Sequence, residues 1–154
     1  MGRAVRAYWW IERGGRMIPK FRAWDVHEKK IFTNAQLIIW NGNVYANDNS
    51  NLNIDNLKGW NIDEKYLMQS TGIKDKNGNE IFEADILKCT SYDGSFWYET
   101  VSWDSTLAGF ATLQNGYEAT AISYITDSKA ITIEIIGFAD LKKYVQENKG
   151  GAGG

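Results

Sequence analysis

The chain has 154 residues, 44% of them hydrophobic and 14% aromatic, with a net charge of −2; this suits one folded domain and argues against a chain disordered as a whole, because so many aromatics must bury large areas. No run of 18 apolar residues occurs, so no membrane-spanning helix is expected, and the single cysteine, Cys89, rules out an internal disulfide and favours a reducing cytosol. Charge is unevenly placed: residues 1–16 hold four Arg and one Glu, whereas from Met17 onward 13 basic residues face 18 acidic ones, a balance of −5.

Residues 12–16 read Glu-Arg-Gly-Gly-Arg and are followed at once by Met17. Glu-Arg-Gly-Gly is what an in-frame purine-rich ribosome-binding site would encode, at the spacing expected before a start codon. Met17 is therefore expected to be the natural start and residues 1–16 a non-native or flexible extension. The competing reading is a genuine basic arm. Residues 17–148 are expected to form one domain, and residues 149–154 a flexible Gly-rich tail.

With Pro19 the only proline, turns fall to Gly, Asn and Asp. Lys20–Trp24 alternates polar and apolar, as a strand does, and after a polar turn at Asp25–Lys29 the pattern resumes at Lys30–Phe32. Leu37–Trp40, Asn41-Gly42 and Val44-Tyr45 spell a hairpin, since a type I′ turn needs positive φ at both central residues. Asn47–Asp63 reads as a long Asn-rich loop. Tyr66–Gln69 predicts a strand, Asp75–Asn79 a dense turn, and Glu80–Phe82 and Asp85–Lys88 two more strands. Asp93-Gly94 separates strands at Leu87–Tyr92 and Phe96–Trp103, and Asn115-Gly116 separates Phe110–Leu113 from Tyr117–Tyr124. Ile131–Ile136 is β-branched and bounded by Gly137, as a buried strand would be. Helical spacing occurs only in Ala139–Asn148, through Leu141, Tyr144 and Val145. The sum is a mainly β fold: a small antiparallel barrel or sandwich of short strands with a short C-terminal helix.

The stretch LMQSTGIKDKNGNEIFEADILK at 67–88, together with IPKFRAWD at 18–25, resembles the YopX family of phage and prophage proteins. The matching residues are Lys20, Phe21, Arg22, Ala23 and Trp24, then Thr71, Gly72, Lys74, Asp75, Gly78, Glu80, Ile81, Glu83, Asp85 and Ile86. Val101, Trp103 and Ile136-Gly137 complete the pattern. It covers roughly residues 17–145. There are departures: Ala84 stands where the family usually has Gly, Phe82 where it often has Tyr, and Ser70 where it often has an aromatic. The resemblance implies a phage or prophage origin and a bacterial cytoplasm; it implies no assigned catalytic group. Physically the signature reads as fold specification. Asp75–Gly78 suits an Asx-type turn with Gly78 left-handed, and Asp85, at a strand start, can hold backbone N–H groups of its turn.

Candidate chemistry is sparse. His27 sits in a polar turn and reads as a solvent-exposed residue. Metal binding would require more ligands at suitable spacing than His27 and Cys89 supply, so neither a metal nor a cofactor is expected. Cys89 lies in an alternating strand and reads as a buried thiol rather than half of a Cys/His dyad. Glu83 and Asp85 read as exposed turn acids rather than an acid–base pair. No phosphate loop, GxGxxG or nucleophile elbow occurs. The aromatics say more: in Phe96-Trp97-Tyr98, adjacent rings must point to opposite faces of a strand. Trp24, Trp97 and Tyr98 are therefore candidates for a contact surface.

The expectation is a non-enzymatic accessory protein that binds a host or phage protein, as a host-modulating or anti-defence factor, with self-association also open. The alternative is a nucleic-acid-binding module in which Lys20, Arg22, Lys74, Lys76 and Lys88 form a patch with Trp24. Against that stands the −5 balance, which repels phosphate unless the charges segregate.

Overall fold

A computed structural model describes residues 18–46, 60–115 and 117–139. The fold is mostly β, with antiparallel sheets curved into a half-barrel. The strands in chain order are β1 (Phe21–Asp25), β2 (Lys30–Phe32), β3 (Leu37–Trp40), β4 (Asn43–Ala46), β5 (Trp60–Ile62), β6 (Leu67–Lys74), β7 (Glu80–Phe82), β8 (Asp85–Ser91), β9 (Phe96–Asp104), β10 (Gly109–Leu113), β11 (Thr120–Ala121) and β12 (Ile131–Phe138). A one-turn helix, α1 (Ser123–Thr126), precedes β12. Three sheets result, with strand orders β2-β1-β6-β7, β11-β10-β9-β8-β12 and β3-β4-β5.

The turns follow from local chemistry. Asn41 (φ 51°) and Gly42 (φ 77°) give the expected primed hairpin between β3 and β4. Asp93 Oδ1 accepts from the N–H and hydroxyl of Ser95, and Gly94 (φ 88°) completes the β8–β9 turn. Asp104 accepts from Thr106 and Leu107 N–H in the β9–β10 turn. Hydrogen bonding to these turn donors holds both exposed carboxyls below the usual Asp range.

The concave side of the five-stranded sheet buries Leu87, Cys89, Val101 and Ile133 against Ile81, Ile122 and Ile125. A second core packs Ala23 and Phe32 against Val44, Ala46 and Ile62, joining the two smaller sheets. Met68 and Ala84 bridge towards Trp24 and Ile31.

Three expectations need correction. Trp60–Ile62, read as loop, pairs with β4 because Ile62 completes the apolar face of the small sheet; positions 47–59 lie outside the described residues. The strand expected over Tyr117–Tyr124 shrinks to Thr120–Ala121, because Ile122–Thr126 turns helically to bury Ile122 and Ile125. Ile131–Ile136, read as a buried strand bounded by Gly137, continues through Gly137 to Phe138 at the sheet edge, and Thr132 and Ile136 are exposed. Residues 1–17 and the helix expected beyond Ala139 lie outside the described residues.

Candidate contact face

The signature residues converge on two structural nodes. In the first, Asp75 closes the β6–β7 turn. Its Oδ1 accepts from Asn77 and Asn79 N–H, each at 2.9 Å, while Oδ2 accepts from Ile135 N–H of β12 at 3.1 Å. Lys76 N–H donates to Ile133 O at 2.9 Å, and Lys76 Nζ pairs with Glu134 at 3.3 Å. The turn thus covers part of the open edge of β12 and clasps one sheet to the other. Burial pushes the Asp75 carboxyl up, but the N–H groups of Ile135, Asn79 and Asn77 outweigh it and hold its pKa below the ordinary Asp value. Thr71 and Gly72 form the bulge in β6 just before this turn. Gly72 takes φ 76°, and the Thr71 hydroxyl donates to Ile81 O at 2.8 Å. Gly78 is left-handed at φ 82°.

In the second node, Arg22 Nη2 donates to Asp85 Oδ1 at 2.7 Å and to Glu83 O at 3.1 Å. Asp85, 1% exposed, also accepts from Phe82 N–H at 2.8 Å. The guanidinium lies over the Phe82 ring at 4.8 Å and the Phe138 ring at 5.7 Å. Glu83 Oε1 accepts from Gln69 N–H. Burial raises the pKa of both carboxyls, more than the Arg22 charge and the backbone donors lower it. Glu83 and Asp85 are therefore not the exposed turn acids read from sequence. They and Arg22 build the corner between β1, β7 and β8. Ala84, between them, is left-handed at φ 70° and fully buried. That is the conformation in which a glycine would be free of strain.

Other signature residues serve the same scaffold. Ile81 is fully buried. Phe21 N–H donates to Asn34 Oδ1 and Glu80 pairs with Lys20 at 3.8 Å. Two signature side chains reach solvent: Lys74, exposed opposite Glu80, and Trp103, 50% exposed although edge-on to Phe110 with ring centroids 5.3 Å apart. His27 is exposed in its turn, with its backbone N–H bound to Asp25 Oδ1. Cys89 is buried and its thiol donates to Glu99 Oε2 at 3.6 Å. Among the described residues no group of His, Cys, Asp or Glu is placed to hold a metal ion.

The three proposed contact aromatics separate. Trp24 is half-buried against Phe138, with ring centroids 5.9 Å apart. Trp97 turns to the core side, where its indole N–H donates to Glu99 Oε2 at 2.9 Å. Only Tyr98 stands on the open face, 49% exposed. It is joined there by Phe96, 54% exposed, at a centroid separation of 5.9 Å in an edge-on pair. Sequence reasoning missed Phe96, although period-two alternation places it on the face of Tyr98. Both sit on β9, the central strand. Across the ladder Phe96 faces Thr90, which faces Thr132, while Tyr98 faces Lys88, which faces Glu134. Lys88 Nζ lies 4.5 Å from the Phe96 ring centroid. The convex face thus carries an aromatic pair with one cation and one carboxylate beside it.

A model of the YopX protein family matches residues 20–137. Among curated proteins nothing matches. Among solved structures the chain is similar to the crystal structure of protein EF1440 from Enterococcus faecalis, at 25% identity and a TM-score of 0.47, over 80% of this chain and 94% of that one.

Proposed function

We propose that this chain, which belongs to the YopX protein family, is a non-enzymatic phage or prophage accessory protein that works by binding a host protein in the bacterial cytoplasm. The observation that carries the reading is the Phe96–Tyr98 pair, half-exposed on the convex face of the central strand. Aromatic rings on a rigid sheet bury large areas at little entropic cost, which is why such residues dominate protein interfaces. The acidic balance from Met17 onward favours a partner with a basic rim around an apolar pocket. A host factor that itself handles nucleic acid has that chemistry, and blocking it would modulate the host.

Of the five cations of the nucleic-acid alternative, three are held by carboxylates: Arg22 by Asp85, Lys20 by Glu80 and Lys76 by Glu134. Lys74 is exposed, and Lys88 lies against the Phe96 ring. Trp24, the stacking platform of that alternative, is half-buried against Phe138.

The test compares wild type with a Phe96→Ser/Tyr98→Ser variant whose far-UV spectrum and melting are checked first. Each is used to capture partners from prophage-bearing host cells. The expected result is one stoichiometric protein retained by wild type and lost by the variant. Equal capture by both, or elution of nucleic acid that survives moderate salt, overturns the reading.

A further inference from the structure

We infer that β3 is a self-association edge through which a second copy of this chain pairs, antiparallel and centred on Ile39. The edges of the sheets are not treated alike. At β12 the Asp75 turn covers part of the edge. At β3, the outer strand of the β3-β4-β5 sheet, no described strand pairs with the other side. Edge strands normally are kept very short or carry a charge, a proline or a bulge that blocks further pairing, and of these β3 has only its length of four residues. From Thr33 to Ala46 there is no charged residue and no proline, and the β3–β4 register is unbroken. Ile39 is 46% exposed and Trp40 50% exposed.

The hairpin register states which backbone groups face outward. The two-residue Asn41-Gly42 turn makes Trp40 and Asn43 a hydrogen-bonded pair. Bonded and non-bonded pairs alternate along an antiparallel ladder. Ile38 with Tyr45 is therefore bonded, and Ile39 with Val44 is not. The N–H and C=O of Ile39 consequently point away from β4, to the open edge.

A second copy matches this edge residue for residue. With Ile39 bonded to Ile39 of the other copy across a two-fold axis, Ile38 falls opposite Trp40 and Trp40 opposite Ile38. Each copy then contributes to two aromatic–aliphatic cross-strand pairs and one central Ile–Ile pair. The absence of charge matters most in this arrangement, because any charge at the centre would meet its own image. The three-stranded sheets of two copies would become one sheet of six strands. This interface is distinct from the Phe96–Tyr98 face and does not depend on it.

Sedimentation of the full chain over about 1 µM to 1 mM tests the inference. Wild type is expected to move from monomer to dimer. Ile39→Lys sets two ammonium groups against each other at the axis and is expected to weaken association by about tenfold or more. Phe96→Ser/Tyr98→Ser is expected to leave it unchanged. A cross-link is the second readout, in a Cys89→Ser background. Bonded antiparallel pairs have Cα atoms about 5.5 Å apart, within disulfide range. Ile39→Cys is therefore expected to form a disulfide dimer on mild oxidation, and Trp40→Cys, displaced along the strand from its own image, is not. A wild type that stays monomeric, a dimer unmoved by Ile39→Lys, or equal cross-linking at positions 39 and 40 overturns the proposal.

Discussion

Removing the Asp75 carboxylate is expected to loosen the clasp between the β6–β7 turn and β12 in a graded way. The carboxylate is 7% exposed and accepts three backbone N–H groups, two in its own turn and one from Ile135. Asp75→Asn keeps an oxygen for the turn but sets an amide NH2 against Ile135 N–H, leaving that donor without a partner. The expected cost is about 1–3 kcal/mol. Asp75→Ala loses all three bonds, and water reaching the exposed turn limits the cost to about 2–4 kcal/mol. Urea unfolding followed by tryptophan fluorescence reads both as midpoint shifts of about 1–2 M. The pH dependence gives an independent check. Because the folded pKa is lowered from the ordinary Asp value, the unfolded state binds the proton more readily. The carboxylate's contribution is therefore full above about pH 4 and lost as pH falls through the folded value. Asp85 and Glu83, whose folded values are raised, act in the opposite sense: their protonation on acidification favours the folded state. The difference between wild type and Asp75→Asn isolates the Asp75 effect, and it should shrink below pH 4. Losses under about 0.5 kcal/mol in both variants, or a difference that does not depend on pH, would refute the clasp. Uncovering the Ile131–Phe138 edge should also raise the tendency of Asp75→Ala to aggregate, measured by light scattering.

Arg22→Met should cost about 3–5 kcal/mol, because it strands the Asp85 carboxylate at 1% exposure with only Phe82 N–H to serve it. Adding Asp85→Asn should recover part of that loss, and strict additivity in urea unfolding would contradict a coupled pair. For Cys89, burial first, and then the charge and hydrogen bond of Glu99, push the thiol to about 12. The native protein should accordingly react with a maleimide at pH 8 no faster than it unfolds, and prompt labelling would place the thiol outside the core.

Legibility in the sequence divides along physical lines. Turns defined by one or two residues were readable: Asn41-Gly42, Asp75–Gly78 and Asp93-Gly94 each lie where positive φ and Asx bonding demand. Strand identity was readable from period-two alternation, and Cys89 and His27 took the burial expected of them. Non-local pairing was not. Nothing in Trp60–Ile62 announces its bond to β4, and nothing local to Ile131–Phe138 says that it is an edge whose cover comes from residue 75. The acids Glu83 and Asp85 were misread because a carboxylate beside a turn is ordinarily solvated; the donors that hold them lie elsewhere in the chain, Arg22 on β1 for Asp85 and the Gln69 N–H on β6 for Glu83. The aromatic face was half-legible. Alternation divides Phe96, Trp97 and Tyr98 between two sides, but which side is inward is set by the core that Val101 joins from the same face of the strand as Trp97.

The division of labour among residues bears on where function lies. Arg22, Thr71, Gly72, Asp75, Gly78, Ile81 and Asp85 are spent on a corner, a bulge, a turn, a core contact and the clasp between sheets. The resemblance to the YopX family rests largely on these residues, so what it transmits is the scaffold. Phe96, Tyr98, Ile39 and Trp40 lie outside that set and face solvent. None of their side chains is needed to complete a turn or fill the core, and half-exposed apolar rings gain little from the monomer alone. Partner choice is therefore expected to follow substitutions on β3 and on the convex side of β9, whereas substitutions at the signature positions should change stability first and binding only as a consequence.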